Sequence, residues 1–305
     1  MSTNDTRNDT RELGQFIPIH YHSPMLCDTV RMSGFRDAIN QNVAPESTVL
    51  ELGSGTGVLS YFAAEKARKV YAVELNLDLV EESRRLLRLN RNGDRVKVIH
   101  ADAFEYIPPE PVDVVICEML HVGLLREKQL EVIDAFKNRY QRHFDGHSLP
   151  IFIPMAVVQA IQPVQHNFKF EGFYAPIVQF QFPYNVDPRT IELGDPVIYH
   201  QLMYDQPYGL SCQWSGDVHI KTDGTFNAIR IITRNVLGID SETEAIIEWD
   251  NQYLVQPLEQ SISVRAGQKL AISLDYLSGA PLSSFRPAVT ATDPLTLAFE
   301  LEFAA

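Results

Sequence analysis

Up to about residue 150 the chain alternates short apolar runs with longer stretches in which apolar residues recur every three or four positions. Val49–Leu52, Val70–Val73, Val96–His100 and Val112–Cys117 are short and rich in valine and isoleucine, so they read as strands buried on both faces. Val58–Ala67, Leu77–Asn90 and Glu127–Arg142 carry the helical spacing and many charges, and Met25–Asn40 reads as one further helix ahead of the first strand. Strand alternating with helix predicts a mostly parallel, doubly wound α/β sheet. Beyond Pro150 the texture changes. Ala156–Pro163, Ile177–Phe182, Val197–Tyr204, Cys212–Ile220, Thr225–Arg234, Gln252–Leu258, Ser261–Val264 and Leu270–Tyr276 are short strand patterns separated by turn formers such as Asp223-Gly224 and Ser278-Gly279. Regular spacing of that kind predicts an all-β barrel-like unit. Its aromatic stretch, Phe173, Tyr174, Phe180, Phe182 and Tyr184, is expected in the barrel core. The expected division is a disordered tail over 1–14, helices plus parallel sheet over 15–149, and the barrel-like unit over 150–305.

The first predicted strand runs into Glu51-Leu52-Gly53-Ser54-Gly55-Thr56-Gly57. Glycines at alternate positions let backbone turn tightly and lie against a ligand with no Cβ in the way. The helix that follows presents free N–H groups. The second strand ends in Glu74, the place of an acid that hydrogen-bonds a ribose diol in Rossmann-like units. A dinucleotide fingerprint needs glycine where this chain has Val58, whereas G-x-G-x-G after the acid Glu51 is the form used for S-adenosylmethionine. Asp102, after the third strand, is placed either to meet an adenine amino group or to turn the chain.

Composition narrows the partners. The chain has 305 residues and a net charge of −13. Binding to nucleic acid gains from a basic surface that displaces counterions, so this field disfavours it. Arg84, Arg85, Arg88, Arg91 and Arg95 cluster, and read as a solvated helix face. The three cysteines, Cys27, Cys117 and Cys212, show no CxxC and no zinc-type spacing, which fits a reducing, cytoplasmic setting without a metal. The polar N-terminus lacks the apolar core of a signal peptide, and no apolar run reaches membrane-spanning length.

Over positions 15 to 280 the sequence resembles the protein arginine methyltransferases, which are class I S-adenosylmethionine-dependent enzymes. Glu51–Gly57 and Glu74 fit any class I methyltransferase. The stretch from Cys117-Glu118-Met119 to Leu125-Arg126-Glu127 is more specific, resembling the family's double-Glu hairpin with glutamates nine positions apart. His22-Ser23-Pro24-Met25-Leu26-Cys27-Asp28-Thr29-Val30-Arg31 resembles the segment that covers the cofactor, and Ile247-Glu248-Trp249 stands where the family has Thr-His-Trp. The resemblance implies that Met25 packs on S-adenosylmethionine and Arg31 binds its carboxylate, with Glu51, Gly53, Gly55, Gly57, Glu74 and Asp102 completing the cofactor site. It implies that Glu118 and Glu127 are the catalytic pair and that the barrel-like unit serves substrate and oligomerisation. A homodimer is allowed, although the segment matching the dimerisation arm, Phe168–Pro188, is short.

Two carboxylates on one hairpin can take a guanidinium in forked, charge-assisted pairs. If both ionise about 5 Å apart, their repulsion is about 3 kcal/mol at an effective dielectric near 20, which raises one carboxyl's pKa and favours a cationic ligand. Several positions depart from the family. Phe16 stands for a tyrosine, Met119 for a tryptophan and His121 for a glycine; Glu248 replaces the histidine that pairs with the acid matched by Asp28. Asp28 opposite Glu248 would put two acids together unless His121 or His219 rebuilds the pair. The acceptor is therefore expected to be a protein arginine or a small cationic molecule, with a non-catalytic S-adenosylmethionine-binding protein as the alternative from another class.

Overall fold

The computed structural model describes residues 17–185 and 187–291. The expected tail over 1–14 and Phe16 lie outside the described residues. Two helices come first, α1 (His22–Cys27) and α2 (Thr29–Asn42). The helix expected over Met25–Asn40 is thus divided. Asp28 takes an extended backbone and its Oδ1 accepts the Arg31 N–H at 2.9 Å, capping α2. An aspartate that satisfies a free N–H gains more as a cap than inside a helix.

The apolar runs form one parallel sheet: β1 (Thr48–Leu52), β2 (Lys69–Glu74), β3 (Val96–His100), β4 (Val114–Cys117) and β5 (Ile151–Ile153), in spatial order β3-β2-β1-β4-β5. Every residue of β1 is buried, as the continuous apolar run required. Helices α3 (Val58–Ala64), α4 (Leu77–Arg88) and α5 (Gln129–His143) make three of the four connections, and a loop joins β3 to β4. Strand order reverses beside β1, where β2 leaves on one side and β4 on the other. The crevice beyond the carboxyl ends of β1 and β4 is where such sheets bind ligands.

The remainder is antiparallel. β6 (Ala156–His166), the hairpin of β7 (Lys169–Phe170) and β8 (Phe173–Tyr174), β9 (Gln179–Gln181), β10 (Thr190–Glu192), β11 (Val197–Met203), β12 (Ser211–His219), β13 (Gly224–Ile239), β14 (Ile246–Asp250), β15 (Tyr253–Val264), β16 (Lys269–Leu277) and β17 (Ala288–Ala291) follow in order. One sheet runs β10-β6-β13-β15-β9, with β11 on β6 and β14 on β13; another runs β12-β16-β17. Ile161, Phe226, Ile229, Ile231, Leu254, Leu270 and Ile272 form the core between them. The two strands expected over Gln252–Leu258 and Ser261–Val264 are one, because β13 pairs with β15 on both sides of a register shift. β14 was not anticipated; it exists because β13 overruns its neighbours and pairs its last residues with Ile246–Asp250.

The aromatic stretch corrects an expectation. Phe173, Tyr174, Phe180, Phe182 and Tyr184 are exposed rather than in the barrel core. Phe173 and Tyr174 belong to a two-stranded hairpin apart from the main sheet, and Phe180 lies on β9 at the edge of that sheet. Among the described residues no helix is long and apolar enough to cross a membrane.

Candidate functional site

A cleft enclosing about 1150 Å³, partly open to solvent, lies at the carboxyl edge of the parallel sheet under α1. Its floor is the glycine loop after β1. Gly53 and Gly55 have φ of +74° and +51°, conformations that L side chains rarely adopt. The Val73 carbonyl accepts the N–H groups of Gly53 and Ser54, each at 2.9 Å, which pins the loop to β2. A Cβ on Gly53 would lie 3.0 Å from the Met119 side chain, and one on Gly55 would lie 2.8 Å from His22 Nε2. The glycines therefore let the loop approach the hairpin and α1. Gly57 sits apart from the cleft lining, at the N-terminus of α3.

Three acids at or just past strand ends line the cleft. Glu74 accepts the Gly55 N–H through Oε2 at 2.9 Å and the Asn76 N–H through Oε1 at 2.8 Å. Each oxygen keeps a lone pair for a ligand hydroxyl. Glu51 lines the cleft but spends its carboxylate on α3, accepting the Ser60 N–H at 2.8 Å and the Ser60 hydroxyl. Burial pushes its pKa up to about 8. Asp102 both lines the cleft and turns the chain, with its Oδ1 accepting the Phe104 N–H at 2.9 Å.

The Glu118–Glu127 hairpin begins where β4 ends. Buried Gln129 clamps its base, accepting the Met119 N–H at 2.8 Å and donating to the Cys117 carbonyl at 2.6 Å. The barrel holds its tip: the Gly123 N–H donates to Thr233 Oγ1 at 2.7 Å and the Arg126 N–H to the Ala280 carbonyl at 2.7 Å. Gly123, Leu124 and Arg126 adopt positive φ, a strain tolerated because these contacts over-determine the loop. The result brings Glu118 and Glu127 into the cleft that holds Gly53, Gly55 and Glu74.

Charge in this wall is unevenly distributed. The Arg31 guanidinium, from α2, forms an ion pair with the Glu118 carboxylate. The Glu127 pKa is pushed up to about 8, first by burial and then by the neighbouring Glu118 charge. The repulsion argued from sequence is present, but desolvation is the larger cause. Lys128 also lines the cleft and is paired with Glu131 at 3.1 Å.

Asp28 and Glu248 are not opposed. Successive side chains on a strand point to opposite faces. On β14 this turns Trp249 inward and sends Glu248 outward, to Arg234 at 3.3 Å. Asp28 accepts the Trp249 indole N–H at 3.3 Å. His121 does not rebuild the pair: its ring stands edge-on to Phe180 at 5.7 Å, and burial lowers its pKa to about 4. His219 ends β12 opposite Lys269.

Sequence reasoning missed His22, Ser54 and Trp249. His22 lies over Gly55 and lines the cleft. Ser54 sits inside the glycine run, and its buried Oγ has no partner within the protein. The Arg31 Nε is likewise buried without a partner.

The sequence model described as "Methyltransferase domain" matches residues 49–140. An uncharacterized protein of Methanocaldococcus jannaschii is 27% identical over 266 residues, spanning 87% of this chain and 95% of its own length. Protein arginine N-methyltransferase PRMT10 of Oryza sativa subsp. japonica is 36% identical over 135 residues, which cover 43% of this chain and 35% of the rice protein. The match therefore spans about a third of that relative's length. In three dimensions the Trypanosoma brucei PRMT1 enzyme-prozyme complex with AdoHcy shares the fold, with a TM-score of 0.70 and 17% identity over 90% of this chain and 97% of that one.

Parallel sheet, glycine loop and matching domain together define an S-adenosylmethionine-dependent methyltransferase. With the barrel that follows, the chain shares the fold of protein arginine methyltransferases. The residues present fit the cofactor. Two glycines form a cradle that side chains would fill, while unpartnered donors on Ser54 and Arg31 face the same region.

The raised acids carry a stability prediction. Between an unfolded carboxyl's ordinary pKa near 4.3 and about 8, folded Glu51 and Glu127 hold protons that the unfolded chain releases. Their contribution to stability then falls as pH rises through that window, while His121, whose pKa is lowered, contributes in the opposite sense. Glu127→Gln mimics the protonated form. Thermal unfolding of the cofactor-free protein from pH 5 to 8 should show a shallower fall for this variant than for wild type, with the curves converging at pH 5.

Proposed function

We propose that this methyltransferase transfers its methyl group to a cationic nitrogen held between Glu118 and Glu127, and that the acceptor is a guanidinium. The observation that carries this reading is the presence of both hairpin glutamates in one cleft with the glycine loop. When bound, S-adenosylmethionine supplies an electrophilic methyl on a sulfonium.

The chain's own residues do the rest. Glu74 takes the ribose hydroxyls, Met25 and the Gly53–Gly55 backbone pack on the cofactor, and Asp102 meets the adenine side. Arg31 takes the carboxylate, because its buried Nε has no partner among the described residues. A cofactor carboxylate competes with Glu118 for Arg31, which leaves Glu118 available to an incoming cation. Glu127, largely protonated while the site is empty at neutral pH, ionises when a guanidinium arrives because the opposite charge offsets its burial. A planar fork can pair with both carboxylates, fixing one nitrogen on the methyl axis. After transfer, a Glu127 oxygen can accept the proton that the methylated nitrogen must lose.

The unit from about residue 150 onward shapes access to the acceptor side and supports self-association. A homodimer through the exposed aromatic strip around Phe173–Tyr184 fits its uncovered apolar surface. A small cationic metabolite is the second reading, motivated by Met119, which stands against Gly53 where the family has a tryptophan. Labelled cofactor offered with arginine-rich peptides, their lysine counterparts, and protein and metabolite fractions of a cell extract separates these readings. Label is expected on the arginine peptides and not on the lysine ones. Label confined to metabolites would overturn the protein-arginine reading, and binding without turnover would overturn the enzymatic one.

A further inference from the structure

Arg31 presents its charge to the cleft, and its guanidinium is gripped from α2 by the Phe35 ring and the Met32 Sδ and from the barrel by the Trp249 ring. We propose that Trp249 is a positioning residue for the cofactor site, reaching from the barrel to hold the Arg31 guanidinium and closing a clasp with Asp28. This inference rests on the cofactor reading above. The Arg31 charge centre lies 5.7 Å from the Trp249 ring and 5.4 Å from the Phe35 ring. Those two rings also pack on each other at 6.1 Å. Arg31 and Trp249 are 6% and 7% exposed, so the attraction between charge and ring acts in a desolvated setting where it is strongest.

The chemistry of that grip matters. An aromatic ring attracts a guanidinium without accepting an N–H, so its donors remain free. One meets Glu118, another the Met32 Sδ at 3.6 Å, and Nε has no partner among the described residues. The site is left with donor capacity for a ligand carboxylate. The same indole donates its own N–H to Asp28 Oδ2 at 3.3 Å, while Asp28 Oδ1 caps α2 through the Arg31 N–H at 2.9 Å. One carboxylate thus fixes the Arg31 backbone and the ring beside its head. Because Trp249 belongs to β14 and Arg31 to α2, the clasp spans the barrel and the cofactor-binding half. Trp249 is absent from the cleft wall, which makes its effect on a ligand indirect.

The test compares Trp249→Leu, which removes ring and donor, with Trp249→Phe, which keeps a ring. Calorimetry with S-adenosylmethionine should show binding about 5- to 30-fold weaker for Trp249→Leu and within about threefold of wild type for Trp249→Phe. Cofactor KM should rise with the weakened binding while kcat changes less. The chain has two tryptophans. In a Trp214→Phe background, titrating S-adenosylhomocysteine should therefore change the emission of Trp249 as Arg31 exchanges Glu118 for the ligand. Wild-type cofactor affinity in Trp249→Leu, or unresponsive emission while the ligand demonstrably binds, would overturn the positioning role alone. Absence of cofactor binding by the wild-type protein would overturn it together with the functional reading.

Discussion

Glu118→Gln is expected to lower turnover by roughly 100- to 1000-fold while leaving S-adenosylmethionine affinity unchanged or slightly improved. The size follows from removing one preorganised charge that meets a cation in a water-poor site. Glutamine preserves shape and one acceptor oxygen but cannot balance a guanidinium. The asymmetry follows from the Arg31 ion pair: in the free protein Glu118 competes with the cofactor for that guanidinium, so its neutralisation relieves competition. Glu127→Gln should also depress turnover, since the variant cannot ionise when the acceptor arrives. Single-turnover kinetics with labelled cofactor, alongside calorimetry, separates the effects. Wild-type turnover in both variants would remove the hairpin from the proposed chemistry, whereas parallel losses of affinity and rate would make Glu118 a cofactor ligand.

Gly55→Val is expected to abolish detectable S-adenosylmethionine binding, a loss of more than about 100-fold. Position 55 has φ +51°, where an L side chain costs about 1–2 kcal/mol and a β-branched one is a genuine outlier. Its Cβ would also meet His22 Nε2 at 2.8 Å. His22 can swing aside, but the branched side chain then intrudes on the cleft, and the Gly55 N–H that Glu74 orients is displaced. The two effects reinforce each other. Calorimetry, with thermal unfolding to establish that the variant folds, is the measurement. A folded Gly55→Val protein that binds S-adenosylmethionine normally would disprove the cradle, and wild-type protein that binds NAD but not S-adenosylmethionine would overturn the cofactor assignment.

The parallel sheet and glycine loop were legible because their signals are local. Val49–Leu52 needed burial on both faces, and positive φ at Gly53 and Gly55 needs glycine; both follow from a few consecutive residues. The spacing of Glu118 and Glu127 was legible as well, and so was a raised pKa on one of them, but not that burial is its larger cause, because burial depends on what encloses the hairpin. The sharpest failures involved strands whose partners are distant. β14 is only five residues long and exists as the partner of the β13 overrun, so the inward turn of Trp249 and outward turn of Glu248 could not be read. The exposed strip from Phe173 to Tyr184 was misplaced because hydrophobicity measures a wish for cover, and whether a second layer supplies it is decided elsewhere in the chain. Local residues thus determined that a strand, a glycine turn and an acid at the next strand end would assemble a cofactor cradle, since steric and hydrogen-bonding needs act between near neighbours. Only the tertiary structure could decide that Arg31 would sit between Glu118 and Trp249, because that geometry brings together α2, the end of β4 and β14, and the position of each depends on the packing of all three.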